Sequence, residues 1–427
     1  MVLTKKSNLK GEITVPGDKS ISHRSIMLAS LAFGTTEVTG FLESADCLSS
    51  IACFLKMGVQ IENSRSTNTV LIHGKGLHEL YPPKTILDMG NSGTTTRLMS
   101  GILAAQNFTS MLTGDASLQK RPMDRIIEPL TLMGAKFESL INNNHIPYTV
   151  AGGNLKGIEY VSPIASAQVK SAILLAGLYA ESETKIMQPQ LSRNHTELMF
   201  KTFDIPVQIE NAAVIIKPTE KFYGQKINIP GDISSAAYFI AAGLITPNSE
   251  ITLKNVGINP TRDGIISVCK LMGGDIMSTN VGHDANEPTA DITVKTSSLN
   301  GITIEGAMIP RLIDEIPIIA VLACFATGTT IIKDAAELKV KESNRIDVMV
   351  HNLKAMGADI EATEDGMVIH GGKPLTGNNI ESMSDHRIAM SLAIAALNAG
   401  GETNIKKAEC VTVSYPNFYK DMASLYE

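Results

Sequence analysis

The sequence predicts an α/β protein of two similar domains, each made of three repeats of two helices and several strands. Three observations carry this expectation. First, VPGDKSISHRSIMLASLAFGTTEVTG (15–40) is matched by IPGDISSAAYFIAAGLITPNSEITLKN (229–255): a strand end, a Pro-Gly-Asp turn, a helix of small residues, a turn and another strand. Second, weaker copies of that plan begin at Met89, Ser162, Leu312 and Met383. Third, a helix-to-strand marker recurs about every 70 to 84 residues, as FLKMGVQIE (54–62), LTLMGAKFE (130–138), CKLMGGDIM (269–277) and LKAMGADIE (353–361). FKTFDIPVQIE (200–210) is a degenerate copy without the glycine. A glycine just past a helix ends it in a left-handed turn, so each marker reads as a helix stop and a strand start. A stacked solenoid is the ordinary alternative for any repeat. Copies this divergent, with charges in only some of them, fit a closed pseudo-symmetric domain better.

Length and composition agree. At 427 residues, one core is too few. Apolar residues make up 44% and charged residues 19%, which excludes a largely disordered chain. The net charge of −6 disfavours a general nucleic-acid binder, so any anion site must be a local concentration of Lys and Arg. The five cysteines form no CxxC pair and read as reduced, mostly buried thiols of a cytoplasmic protein. MVLTKKSNLKGE contains no apolar signal-peptide core, and the runs near Ala236–Ile245 and Ile316–Ala326 are too short for a bilayer, so no membrane association is expected. The nine histidines include no HxxxH or HExxH, and no metal site is expected.

In chain order, the charged candidates fall where each repeat enters its small-residue helix. The first offers Lys19, Ser20 and Arg24, the second Asn91, Ser92, Gly93, Thr94 and Arg97, and the third Ser166, Gln168 and Lys170. The fourth, GDISSAAYF, keeps the fold pattern but has no cations, which separates what folding needs from what another task needs. The fifth offers Asp314 and Glu315, the sixth Asp385, His386 and Arg387. A helix entry with Gly93 leaves backbone N–H groups free for an anion, although a plain cap reads the same way. GDASLQKRPMDR places Lys120 and Arg121 in a loop before Pro122, and SRNHTE adds Arg193 in a turn. KVKESNRIDVMVHNLKAMG (339–357) reads as one helix, with Lys341 and Arg345 four apart on its first turns and Glu342 able to pair with Arg345. Converging cations of this number suit two substrates bearing phosphates and carboxylates. Carboxylates among them, Asp314 and Glu342, could act as bases.

GDKSISHR, GNSGTTTRL, RPMDR, SAQVK, RNHTE, IDEIP, KESNR and SDHR, in this order over nearly the whole length, resemble the 5-enolpyruvylshikimate-3-phosphate (EPSP) synthase family. RPMDR, SAQVK and RNHTE look like its class II branch, which includes naturally glyphosate-tolerant enzymes. The resemblance implies two inside-out α/β domains, each of three βαβαββ-type repeats, joined by two crossovers. One would comprise 1–17 plus 232–427 and the other 18–231, with the active site in the cleft between them and closing on substrate. It implies transfer of the enolpyruvyl group of phosphoenolpyruvate to the 5-hydroxyl of shikimate 3-phosphate, releasing phosphate, by a monomer without metal or organic cofactor. Shikimate 3-phosphate would be held by Lys19, Ser20, Arg24, Ser166, Ala167, Gln168, Arg193, Asp314 and Lys341. Phosphoenolpyruvate would be held by Lys19, Gly93, Arg121, Gln168, Arg345 and Arg387. Asp314, Glu342, Lys19 and Lys341 would be catalytic, and His386 structural or a proton relay.

Three positions depart from the common family pattern: Ala167 stands for a second phosphate-binding serine, Asn344 for the Asp of KESDR, and Val413 for a lysine near the donor phosphate. Gly93 leaves room beside the donor site, so inhibition by glyphosate is expected. Two rivals remain. The sister enolpyruvyl transferases that act on UDP-N-acetylglucosamine usually carry a reactive cysteine in the loop matching 114–125, which has none here. A non-catalytic phosphometabolite binder would not need both Asp314 and Glu342.

Overall fold

A computed structural model describes residues 1–64, 67–141 and 144–426. The chain divides into two compact units. The terminal unit comprises Met1–Pro16, Pro230–His283 and Pro288–Glu427, and the inserted unit Gly17–Ile229 and Asp284–Glu287.

The repeats follow one plan of strand, entry helix, strand, second helix, strand, strand, which the sixth cuts short after its second helix, Phe418–Ser424. The second repeat shows the plan in one stretch: Leu87–Asp88, helix Gly93–Leu103, Thr109–Thr113, helix Asp124–Leu132, Lys136–Ser139 and Tyr148–Ala151. Its first strand pairs parallel to the third element, with Leu87 opposite Leu112. The last strand pairs antiparallel with both remaining neighbours, with Thr109 and Lys136 each opposite Ala151. The third and fifth repeats build the same four-stranded order.

The chain closes each unit with a strand from far away in sequence. Lys226–Asn228 completes the first repeat's sheet by pairing parallel to Phe33–Thr39. Lys10–Ile13 completes the fourth by pairing parallel to Glu250–Gly257. Val2–Thr4 lies antiparallel to Glu402–Lys406 in the sixth.

The helices form the inside and the sheets the outside. Helix Ile233–Ile245 is buried from Ile233 to Leu244, and helix Ile316–Phe325 from Ile316 to Cys324. A helix apolar all round must be enclosed, which is why these segments lack an amphipathic stripe. Small residues allow the enclosure: a Cβ on Gly101 would sit 2.2 Å from the Ala172 carbonyl oxygen, so helices Gly93–Leu103 and Ala167–Gly177 touch backbone to backbone. One apolar core fills each unit.

The stop markers behave as their chemistry requires. Gly58, Gly134, Gly273 and Gly357 take φ of +85, +114, +91 and +93°. In the degenerate copy Asp204 takes φ 55°, since Asp is among the few side chains that tolerate this region. One expected element is corrected. The helix read over 339–357 begins only at Arg345. Residues Ala336–Val340 form a separate 3-10 turn, and Lys341 is extended, with φ −80° and ψ −155°. Asn344 caps the later start, its Oδ1 accepting from the Asp347 N–H at 3.3 Å. Lys341 and Arg345 therefore do not share a helical face.

Candidate active site

In the inserted unit most of the candidate side chains stand at the N-terminal ends of three entry helices. Asp18 caps helix Lys19–Leu31 by accepting from the Ile21 N–H at 2.9 Å. This leaves Lys19 and Ser20 at its first positions, half-buried, with Lys19 paired to Asp46 of the following helix. Arg24, one turn on, is buried. Its Nε donates to Thr196 at 2.7 Å, Nη2 to Ser171 at 2.8 Å and Nη1 to the Ser20 carbonyl at 2.9 Å. Burial pushes Arg24 down to about 10, against the pull of Glu197, so it stays charged at neutral pH. Beneath it, Lys170 reaches Glu197 at 2.5 Å, with both side chains nearly sealed from solvent.

The second and third helix entries are tied together by amides and guanidinium groups. Ser92 and Ser166 cap helices Gly93–Leu103 and Ala167–Gly177. Gln168 accepts from Arg97 Nη1 at 2.6 Å and donates to Thr94 at 3.0 Å. Arg121 is presented by the loop that Asp115 folds by accepting from Ser117 and Leu118 N–H groups. Its Nη2 donates to Asn91 at 2.7 Å. Gly93 lies between the two arginines: a Cβ there would stand 2.9 Å from Arg97 Nη1 and 3.4 Å from Arg121 Nη1. Arg193 sits half-buried in the turn before helix His195–Thr202, near enough to Arg24 for their charges to oppose each other. Ala167 opens its helix, and its carbonyl accepts from Ser171 at 2.6 Å. This arrangement presents cations and hydroxyls together at the first turns of capped helices, the chemistry of an anion site.

In the terminal unit the candidates form a second charged group. Arg345 is its centre: Nε meets Asp385 at 2.9 Å, Nη2 meets Glu342 at 2.6 Å and Nη1 meets Asp314 at 3.4 Å. Asp314 also faces Lys341 at 3.8 Å and Arg387 at 3.9 Å. Lys341 is held from its other side by Glu337 at 2.8 Å. Burial alone would lower Arg345, but Glu342 and Asp385 outweigh it and hold the guanidinium above its ordinary range. Arg345 conversely keeps Asp385 low in spite of its burial. Such a carboxylate–guanidinium group can neutralise an anion and move a proton at Asp314 or Glu342.

The structure thus places Lys19, Ser20, Arg24, Gly93, Ser166, Ala167 and Gln168 on the first turns of entry helices of the inserted unit, with Arg121 in a loop and Arg193 in the turn before helix His195–Thr202. It brings Asp314, Lys341, Glu342, Arg345 and Arg387 into one group in the terminal unit. The neighbours Asp314 and Glu315 part company: Glu315 turns inward and is fully buried. Sequence reading missed Asp46, Glu197 and Arg262. Glu197 lies inside RNHTE, but only tertiary packing shows that it answers Lys170 from beside Arg24. Among the described residues, no group of three or more His, Cys, Asp or Glu is placed to hold a metal. No helix among them is long and apolar enough to cross a membrane.

Comparison with known proteins gives the same answer from three directions. Residues 3–422 match the family model described as EPSP synthase (3-phosphoshikimate 1-carboxyvinyltransferase). A curated protein of Thermoanaerobacter sp. named 3-phosphoshikimate 1-carboxyvinyltransferase is 59% identical over 416 residues, 97% of each chain. One of the same name from Bacillus cytotoxicus is 53% identical over 423 residues, 99% of each chain. The structure of an EPSP synthase from Acinetobacter baumannii superimposes with a TM-score of 0.91 at 47% identity, covering 100% of this chain and 97% of the other. By its repeats, its fold and its relatives, the chain belongs to the EPSP synthase (3-phosphoshikimate 1-carboxyvinyltransferase) family.

Proposed function

We infer that this enzyme transfers the enolpyruvyl group of phosphoenolpyruvate to the 5-hydroxyl of shikimate 3-phosphate. The products are 5-enolpyruvylshikimate 3-phosphate and phosphate, on the route to chorismate and the aromatic amino acids. One observation supports the assignment of roles best: Lys341, Arg345 and Arg387 all turn a cation toward the Asp314 carboxylate, with Glu342 on Arg345.

Asp314 takes the proton of the 5-hydroxyl, whose oxygen then attacks C2 of the enolpyruvyl group. Glu342 delivers a proton to the methylene carbon, so that carbon becomes a methyl group and a tetrahedral adduct forms. Elimination reverses the second transfer: Glu342 takes a methyl proton, the double bond re-forms, the C2–O bond to phosphate breaks, and the departing phosphate takes the proton that Asp314 had accepted. Lys19 and Lys341 stabilise charge on the adduct and on the leaving phosphate. Arg121, Arg345, Arg387, Gln168 and the open backbone at Gly93 hold the donor. Ser20, Arg24, Ser166, Ala167, Gln168 and Arg193, with Lys19, Asp314 and Lys341, hold the acceptor. Fixing both reactants in this way supplies the proximity term of the rate.

We place the protein in the cytoplasm, as a monomer, acting without metal or organic cofactor; light scattering on the purified protein checks the monomer. Phosphate release is the direct test of the reaction. With both substrates it should proceed, and Lys19→Ala and Glu342→Ala should each abolish most of it. Release with UDP-N-acetylglucosamine as acceptor, and not with shikimate 3-phosphate, would instead assign the sister activity. Ligand binding without release would make the protein a binder.

A further inference from the structure

Glu315 is placed where a helix usually wants a cap, yet it caps nothing of its own. It precedes helix Ile316–Phe325 and makes no side-chain hydrogen bond to it. Its carboxylate turns away into the core and accepts a short hydrogen bond from Ser234, at the second position of helix Ile233–Ile245. Arg262, itself buried, lies over both: its Nη2 donates to Ser234 Oγ at 2.5 Å and stands 3.6 Å from Glu315 Oε1 and 3.7 Å from Asp232 Oδ1. On its far side the same Glu315 Oε1 is 3.8 Å from Arg387 Nη1. That nitrogen also donates to the Asp314 backbone carbonyl at 3.3 Å.

The fold does not require this arrangement. A buried carboxylate between the buried guanidinium of Arg262 and the half-buried one of Arg387 is costly to desolvate, and apolar residues of similar size would fill the space at least as well. What it does supply is a fixed buried negative charge near Arg387 Nη1, while the partly exposed Asp314 carboxylate faces Nη2. A long arginine side chain has several rotamers, and a clamp for a carboxylate or phosphate works only when its fork is already aimed.

We propose that Arg262 and Glu315 are positioning residues for the enolpyruvyl donor: Arg262 and Ser234 fix Glu315, and Glu315 fixes the guanidinium of Arg387. This rests on the reading of Arg387 as a phosphoenolpyruvate ligand. Arg387 is read as a ligand of the donor alone, and the acceptor ligand Asp314 keeps Lys341 and Arg345 as partners of its own, so the couple acts mainly on the donor.

The test is steady-state kinetics on the whole enzyme with each substrate varied in turn. Glu315→Gln keeps the shape and removes the charge, and it should raise the KM for phosphoenolpyruvate by about ten-fold or more, the scale of removing a buried charge that stands 3.8 Å from the guanidinium. The KM for shikimate 3-phosphate should stay within about two-fold, since Asp314 is still held by Lys341 and Arg345. Arg262→Lys should give a smaller rise of the same kind. Ser234→Ala, which removes only a hydroxyl, covers the case in which Glu315→Gln fails to fold, and should again move the donor KM alone. Arg387→Ala separates the two levels of the argument. If it raises the donor KM while Glu315→Gln and Ser234→Ala leave it unchanged, the positioning role is overturned and the site reading stands. If Arg387→Ala leaves the donor KM unchanged, the site reading fails and takes this role with it. Equal rises in both KM values, with a lower melting temperature, would mean general loosening and would also overturn it.

Discussion

Arg345 Nε donates to Asp385 at 2.9 Å, and neither side chain reaches solvent. The carboxylate is spent on holding the arginine: its other partners are Ser343, at 3.0 Å, and the backbone N–H of Arg387, at 3.0 Å. Asp385 thus ties the start of helix Arg345–Ala355 to the start of helix His386–Asn398. Asp385→Ala should cost about 3–5 kcal/mol, because it leaves a buried guanidinium without its one fully buried carboxylate partner among the described residues. Denaturant unfolding of the variant measures this, and a loss below about 1 kcal/mol, the scale of an exposed pair, would refute it.

The buried pair of Lys170 and Glu197 should behave as a unit. Lys170→Ala strands Glu197 in the core and should destabilise the protein by about 3–5 kcal/mol. Lys170→Met combined with Glu197→Leu removes both charges and should be clearly more stable than Lys170→Ala. A double variant as unstable as the single one would show that the pair's value lies in packing and not in charge.

Gly93→Ala should act on the donor and spare the fold. The new Cβ meets the ends of the Arg97 and Arg121 side chains, which can move, and not backbone. The expected outcome is a several-fold higher KM for phosphoenolpyruvate, an unchanged KM for shikimate 3-phosphate and an unchanged melting temperature. Glyphosate should inhibit the parent enzyme at moderate concentration and the variant only at higher concentration. A parent inhibition curve flat into the high millimolar range would reject this.

His23 should set part of the acid limb of stability. Burial holds it neutral in the folded protein, down at about 3 against 6.5 for an ordinary imidazole. Its Nδ1 faces Ser50 at 2.8 Å. Between those two values the unfolded chain binds a proton that the folded one refuses, so stability falls as pH drops below about 6.5. The slope from this group is about 1.4 kcal/mol per pH unit, and it levels off near pH 3. Unfolding curves at pH 7, 6, 5 and 4 measure the slope. His23→Asn should flatten it, and an unchanged slope would discard the idea.

Much of this protein can be read from local pattern. The Pro-Gly-Asp entries and the Met-Gly stops depend on neighbours a few residues apart, and the helices end at Gly58, Gly134, Gly273 and Gly357 as their backbone angles demand. The degenerate stop at Asp204 follows the same geometry with a different residue. The helix over 339–357 was misjudged at its start because an apolar stripe does not show where the first turn begins. Asn344 and Ser343 made that choice by hydrogen-bonding to Asp347 and Asp385.

The amino-acid order by itself therefore determined the repeats, the buried helices and the set of candidate cations and carboxylates at the helix entries and loops. Each of these follows from periodicity, caps or residue type. Tertiary structure alone decided which charge answers which: that Arg345 is spent on Asp385, that Lys170 answers Glu197, and that Glu315 turns to Arg262 while its neighbour Asp314 faces Lys341. Such pairings join residues far apart in sequence through bonds a few ångströms long, and no local pattern records which distant partner the packing will bring within reach.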